Sequence, residues 1–445
     1  MRRRVHVRVR ARVAVVPAAA AIALLAAPTG AQAAGYRVTS GGGTCGGTDA
    51  TCGSLTAAAT AMQAGDKLSI APGRYHESPR FAAPGLVVRG SKTAPGVVVD
   101  GTITFAADGP PSALETLAVS AMAPDAPAVL VSGTSGLVVR DASLFAADGN
   151  ALTIARSTGN AVMRSRLLSG RIAIAIGGGD LALDSSVVSG GAGAGGAGLT
   201  AGGGPEYPLS ADASATVAGR HVTIAGAPAA IVLNGAATAA MTDSIVLGAA
   251  PAEAGLLRTD RQSAPAALFV NPATRNFRLR PGSPAIDRGQ ITPGDSPTDV
   301  DGQPRTLGKA SDLGADELDT VAPQVTITRP RARQALAVGS RLRLAGRAQD
   351  PSGVASVVVA MDVLPSRRTC RWFSPQRGVV TRSCKDPVLV RARLAKSGTW
   401  SYAGPRRLKL PAARYRVRVY GTDRAGVFGN AAQASRGSVT FRVGG

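Results

Sequence analysis

Histidine, cysteine and aromatic residues are scarce in this chain: 3 His, 4 Cys and 4% Phe, Trp and Tyr among 445 residues. His6, His76 and His221 are scattered and the cysteines form two distant pairs, so a metal centre of imidazole and thiolate finds too few ligands in any one place. Cys45 with Cys52 and Cys370 with Cys384 read instead as two local disulfides. Trp372 and Trp400 both lie beyond residue 320, so the middle of the chain offers no tryptophan platform for a sugar ring. After the first 33 residues no apolar run approaches the roughly 20 that a membrane helix needs. The expectation is a soluble protein.

Residues 1–33 carry six arginines by position 12, then the apolar run VAVVPAAAAIALLAAP, then Ala31-Gln32-Ala33 before Ala34. This is the pattern of a secretory signal peptide. Arg2-Arg3-Arg4 hints at the twin-arginine route, but the residues that follow favour the general one. Export, to the extracellular space or the cell envelope, also provides the oxidising compartment in which disulfides persist.

Beyond the first 33 residues, which hold none, acidic side chains are scarce in one region only. The formal charge is +22, yet residues 36–272 hold 14 basic and 16 acidic side chains and residues 273–320 hold 6 and 8. Residues 321–445 hold 24 basic and 4 acidic. The last domain is therefore the basic one, and its field attracts polyanions. Acidic polysaccharide or another envelope polymer is the expected partner. Nucleic acid fits less well, and a solvated arginine-rich surface is the plain alternative. A monomer is expected.

The middle of the chain repeats. Ser54-LTAAATAMQA-Gly65 has an N-cap serine and apolar Leu55, Ala59 and Met62 at helical spacing, which predicts one short helix ended by glycine. Short strands follow, starting at Leu137, Ala161, Leu181, Ala215 and Ala239, with a period a little over 20 residues, broken once by the glycine-rich SGGAGAGGAGLTAGGGPEYPLS. Such a fixed period predicts coils that stack on one another. From about Tyr36 to Phe277, and most recognisably in AGDKLSIAPGRYHES, the sequence resembles the right-handed parallel β-helix of the pectin-lyase-like superfamily, with the helix capping its open first coil. Asn276 to Asp319 resembles the choice-of-anchor Q region of exported bacterial β-helix proteins, through PGSPAID-x-G, D-x-DG-x-x-R and D-x-GA-x-E. That resemblance implies that 273–319 finishes the coil begun within 34–272 and precedes a surface anchor.

Ser283 and Asp287 in that stretch invite a hydrolase reading, but no histidine lies within 50 residues of Ser283 in sequence. The structural reading is that Ser283 ends a turn, that Ile286 enters the core, and that Asp287, Asp299, Asp301, Asp312 and Asp316 accept from backbone N–H groups. Asp299 and Asp301 offer a weak calcium alternative, and no other cofactor is implied.

Residues 320–445 alternate with period two between turns such as DPSG and DRAG, which predicts a β-sandwich. Ala322 to Pro330, Gly346 to Val354 and Tyr415 to Asn430 resemble bacterial immunoglobulin-like modules. The overall expectation is an all-β protein: a parallel β-helix followed by a small sandwich. Within the sandwich, Arg367 to Lys385 reads as a hairpin pinned by Cys370 and Cys384. It sets Trp372 and Phe373 among Arg367, Arg368, Arg371, Arg377, Arg382 and Lys385 as a candidate binding surface for a charged sugar. The competing reading packs the tryptophan inward.

The β-helix architecture hosts polysaccharide lyases and hydrolases, so an enzyme is the second hypothesis. A pectate-lyase-like site would need carboxylates beside a basic residue on neighbouring coils. The best group is Arg140, Asp141, Arg164, Arg166 and Asp184, with only two carboxylates. The first expectation is a non-catalytic, secreted or cell-surface glycan-binding protein.

Overall fold

The structure is a computed structural model. It describes residues 33–39, 45, 50–94, 96–133, 135–191, 196–201, 214–252, 254–364, 369–406, 409–430 and 437–444. The segment expected to be a signal peptide, except for its last residue, lies outside the described residues, as do most of the glycine-rich insertion, Arg367 and Arg368.

Strands from Gly35–Val38 to Gly255–Leu257 form a parallel β-solenoid of about seven turns. A typical coil supplies three strands. Ser112–Glu115, Ala118–Ala121 and Val129–Ser132 make one coil, and each pairs in register with its counterparts in the coils before and after. In the first sheet Val138 pairs with Ala161, Ala161 with Ala182, Ala182 with Ala218 and Ala218 with Ala240. The spacing widens once, between Ala182 and Ala218, across the glycine-rich stretch, of which Ala197–Ala201 forms a strand of the second sheet paired with Ile172–Ile176 and with Thr223–Leu233. Alternate residues such as Leu114, Val139, Leu144 and Leu183 point inward and are buried, joining one continuous aliphatic core. That period-two pattern is what fixes the register, since a slip by one residue would turn the core face outward.

The predicted helix is present as Leu55–Ala61. Ser54 Oγ accepts from Ala57 N at 3.0 Å, and Glu77, from the loop after the next strands, accepts from Leu55 N and Thr56 N. Two carboxylate oxygens and one hydroxyl thus satisfy three of the orphan donors of the first turn. The helix packs on Gly35–Val38, Ala50–Cys52 and Arg80–Phe81, covering the first coil. It stops at Met62, whose backbone is extended, earlier than a glycine stop at Gly65 predicts; Gly65 instead donates to Pro84 O.

From Thr116 onward, each coil turns out of the first sheet through a single left-handed residue. Thr116, Asp141, Arg164, Ser185, His221, Asp243 and Arg258 occupy this place, with φ between 45° and 61°. For residues with a Cβ this conformation is costly. It is held because the N–H of each of the first six donates to a carbonyl of the following coil, for example Asp141 N to Met163 O and Arg164 N to Asp184 O. Buried serines just inside the turn extend the ladder: Ser165 Oγ accepts from Ala142 N, and Ser186 Oγ from Ser165 N. The result is a straight ridge of turns running along the solenoid.

Residues 324–443 form two mainly antiparallel sheets around a separate core, as in a β-sandwich. One sheet contains Gln324–Arg329, Arg343–Gln349, Arg393–Leu394 and Thr399–Ala403; the other is built on Val354–Leu364 and Ala413–Asp423, with Thr369–Ser374, Gly378–Ser383 and Ser438–Val443. Val325, Leu344 and Trp400 meet Val357, Tyr415, Val417 and Phe441 between them. Both local disulfides are formed, and no cysteine is free.

Candidate functional site

The stacked ridge does gather the charged residues that the sequence singles out. Arg140 pairs in register with Met163, and Met163 with Asp184, while Asp141 and Arg164 occupy successive left-handed turns. Proximity, however, has consumed their charges. Arg164 grips Asp141 in a fork, Nε to Oδ1 at 2.9 Å and Nη2 to Oδ2 at 3.1 Å. Burial pushes the Asp141 carboxyl up, but Arg164, Lys92 and Arg140 outweigh it and hold the group below the usual carboxylate range. Arg140 lies 3.7 Å from Glu115, which also binds Arg89.

The rest of the group is covered by residues 260–319. This segment does not simply finish the coil: it folds back along the flank of the solenoid. Its Leu268, Phe269, Phe277, Leu279, Ala285, Val300 and Ala315 pack on the outward-facing Val187 and Ile245. It then crosses the ridge. Ser296 N donates to Asp184 Oδ2 at 2.7 Å, Arg220 pairs with Asp295 at 2.9 Å, and Gln290 N donates to Asp243 Oδ1. Arg166 pairs with Asp301, which also binds Arg278. Gly314 comes so close that a Cβ there would lie 2.7 Å from Thr223 Oγ1 and 2.8 Å from Ile245 Cδ1, and its φ of +89° favours glycine too.

Beneath this segment runs a carboxylate network. Asp299 accepts from Asp301 N, Gln303 N and Glu317 N; Asp312 from Asp287 N and Leu318 N; Asp287 from Lys309 N and Ala310 N; and Asp316 from Leu279 N. Four of the five aspartates therefore bind backbone N–H groups as the sequence predicts. Asp301 is the exception and binds two arginines. At Asp299 and Asp301, the pair offered as a calcium alternative, the carboxylates accept from backbone N–H groups and pair with Arg166 and Arg278 respectively. Ser283 Oγ accepts from Ala285 N in a turn, and it is Ala285 rather than Ile286 that is fully buried.

Two further members of the network are the residues that end the D-x-DG-x-x-R and D-x-GA-x-E motifs, to which the sequence assigns no role of their own. Arg305, 2% exposed, donates to the carbonyls of Ala315 and Gly314, with Glu317, Asp299, Asp184 and Asp312 around it. Glu317 accepts from Leu307 N and Asp312 N. Burial pushes Glu317 up to about 8, Asp316 up to about 7 and Asp312 up to about 6. His221 is fully buried with Nε2 3.6 Å from Asp295 Oδ2, and burial together with nearby Arg305 holds it down to about 4.

One cavity of about 240 Å³ opens where the segment meets the solenoid. Arg166, Arg275 and Arg278 line it with Asp301, Asp316 and Phe277. It is smaller than the roughly 300–1,000 Å³ usual for ligand sites. Arg166 and Arg278 are, moreover, already paired with Asp301.

The sandwich is arranged differently. Trp372 is fully buried and Phe373 is 5% exposed, so neither offers a stacking face. Their neighbours in sequence diverge because strand residues alternate: Phe373 enters the core between the sheets, and Trp372 joins Ala360 and Cys370 in a small cluster apart from it. The disulfide, Val388 and the Nε1–H bond to Ser383 O close over the indole, and the Arg418 guanidinium lies 4.7 Å from its ring centre. The aromatic half of the expected binding surface is thereby corrected. Its cationic half remains: Arg371, Arg377, Arg382 and Lys385 are exposed.

Basic side chains cover both sheets. Arg343, Arg347 and Arg393 are exposed on the smaller one; Arg391 is exposed on the larger, where Arg414 and Arg442 face each other across strands. Of the four acidic residues beyond 321, Asp362 is buried under Arg416 and Arg418, Asp386 pairs with Arg382, and Asp350 and Asp423 face inward at the junction with the solenoid.

No protein-family model matches the chain, and no curated protein matches it.

Proposed function

We propose that this is a non-catalytic, secreted or cell-surface β-solenoid protein that binds an acidic polysaccharide or a similar envelope polyanion through its C-terminal sandwich. The observation that carries the reading is the disposition of charge in the sandwich: arginines stand exposed on both sheets, whereas of the four carboxylates Asp362 and Asp423 are buried, Asp386 is paired with Arg382 and Asp350 is half-buried. Exposed guanidinium groups at strand spacing supply charge-assisted, bidentate donors to successive carboxylates or phosphates of a polymer. In this reading the solenoid is a rigid support, residues 273–319 act as a choice-of-anchor-Q-like closure, and the sandwich is an immunoglobulin-like module.

The lyase or hydrolase alternative loses support because Asp141 and Asp184 are engaged and the ridge beside Asp184 is crossed by 290–301. An acid or base needs a free lone pair or proton within reach of substrate.

The test is retention of the full chain on immobilised polygalacturonate and on a neutral glucan. Retention on the acidic polymer alone, eluted by moderate salt and lost in Arg343→Glu/Arg347→Glu/Arg393→Glu, is the expected result. Equal retention of that variant, or release of unsaturated product from the polymer, would overturn the reading.

A further inference from the structure

Three aspartates from three separate parts of the chain converge where the solenoid joins the sandwich. Asp319 ends the closing segment, Asp350 sits in the turn between Arg343–Gln349 and Val354–Leu364, and Asp423 ends Ala413–Asp423. One carboxylate oxygen from each lies within 4.8 Å of the other two.

Each carboxylate places one oxygen on a backbone donor: Asp319 Oδ1 on Val321 N, Asp350 Oδ1 on Ser352 N, and Asp423 Oδ1 on Val427 N. That fixes the direction of the second oxygen. Asp319 is 4% exposed and Asp423 1%, and the Oδ2 atom of each is buried with no hydrogen-bond partner. Among the described residues, no lysine, arginine or histidine forms an ion pair with any of the three. Unpaired buried carboxylate oxygens are costly, and three brought together repel one another.

We propose that Asp319, Asp350 and Asp423 bind a calcium ion that fastens the sandwich to the end of the solenoid. The donor set is all oxygen, which suits a hard cation. Ligands at the calcium distance of about 2.3–2.6 Å stand up to about 5 Å apart across the ion, whereas the roughly 2.0–2.1 Å of magnesium draws them closer. Three carboxylates supply part of the six to eight ligands calcium takes, and backbone carbonyls or water complete the shell. Because Asp319 belongs to one domain and the other two to the next, binding orders the linker as well as the turns.

Calcium and magnesium titrations of the EDTA-treated full chain by calorimetry, with thermal unfolding in parallel, test this. The expected result is one calcium per chain, with a Kd no weaker than about 1 mM, far weaker magnesium binding, and an unfolding transition raised by calcium. Asp350→Asn keeps the acceptor for Ser352 N and should weaken binding at least tenfold while leaving the protein folded; Asp423→Asn should abolish it. Absence of calcium binding by the folded wild type, or calcium binding undiminished in Asp350→Asn, would overturn the proposal.

Discussion

The solenoid and the sandwich treat charge in opposite ways. Along the solenoid, acids and bases are nearly equal in number and meet in ladders: Arg89 with Glu115, Arg164 with Asp141, Arg258 with Asp243. Stacking coils brings side chains of successive turns to within about 5 Å, so opposite charges at one phase of the repeat neutralise one another. In the sandwich, 24 bases meet 4 acids, most basic side chains stand exposed, and of the acids Asp362 and Asp423 are buried while exposed Asp386 pairs with Arg382. One region uses charge to hold itself together; the other leaves it available.

The largest break in that contrast should come from Arg305→Met. Removing the buried guanidinium leaves Glu317, Asp299 and Asp312 facing one another, at a cost of about 3–5 kcal/mol in denaturant unfolding. Leu114→Ala, a cavity in the fully buried solenoid core, should cost about 2–5 kcal/mol there and leave the sandwich transition in place. Opening the 14-residue disulfide loop with Cys370→Ser/Cys384→Ser should cost about 3 kcal/mol, in the sandwich alone.

Protons sharpen the comparison further. The folded-state values of Asp312, Asp316 and Glu317 are raised, to about 6, 7 and 8. Their contribution is fully present below the unfolded carboxylate range and is lost as pH rises through those values. His221, held down to about 4, works the other way: its contribution is present above its ordinary value and is lost as pH falls through the folded one. Between about pH 6.5 and 8 only the carboxylates act, so the solenoid should lose stability with rising pH. Glu317→Gln should flatten that slope by up to about 1.4 kcal/mol per pH unit. The smallest effect belongs to the exposed pair of Arg74 and Asp100, where Arg74→Ala should change stability by less than about 1 kcal/mol.

Much of this was legible in the sequence. Period-two aliphatic runs at a fixed repeat gave the coils, and Ser54 marked the helix start. The aspartates of the closing segment announced themselves by turn chemistry. What stayed hidden depends on contacts distant in sequence. Nothing local to Arg166 or Asp184 tells that residues more than 110 positions later will lie over them. Trp372 and Phe373 are adjacent and apolar, yet which face each takes, and that a disulfide loop shuts over the first, follows from strand pairing. Arg305 and Glu317 end recognisable motifs, yet nothing local assigns them a role until the segment folds back and buries them. Asp319, Asp350 and Asp423 are each unremarkable turn residues and become a cluster only when two domains meet.

The account rests on the sandwich, and not the solenoid, holding available charge. Its most direct test is the salt dependence of affinity for polygalacturonate in two full-chain variants, Arg343→Glu/Arg347→Glu/Arg393→Glu in the sandwich and Arg74→Glu/Arg89→Glu/Arg156→Glu in the solenoid. The prediction is that the first variant loses affinity at least tenfold with a flattened salt slope while the second stays close to wild type. The reverse pattern would contradict it and move the binding surface to the solenoid.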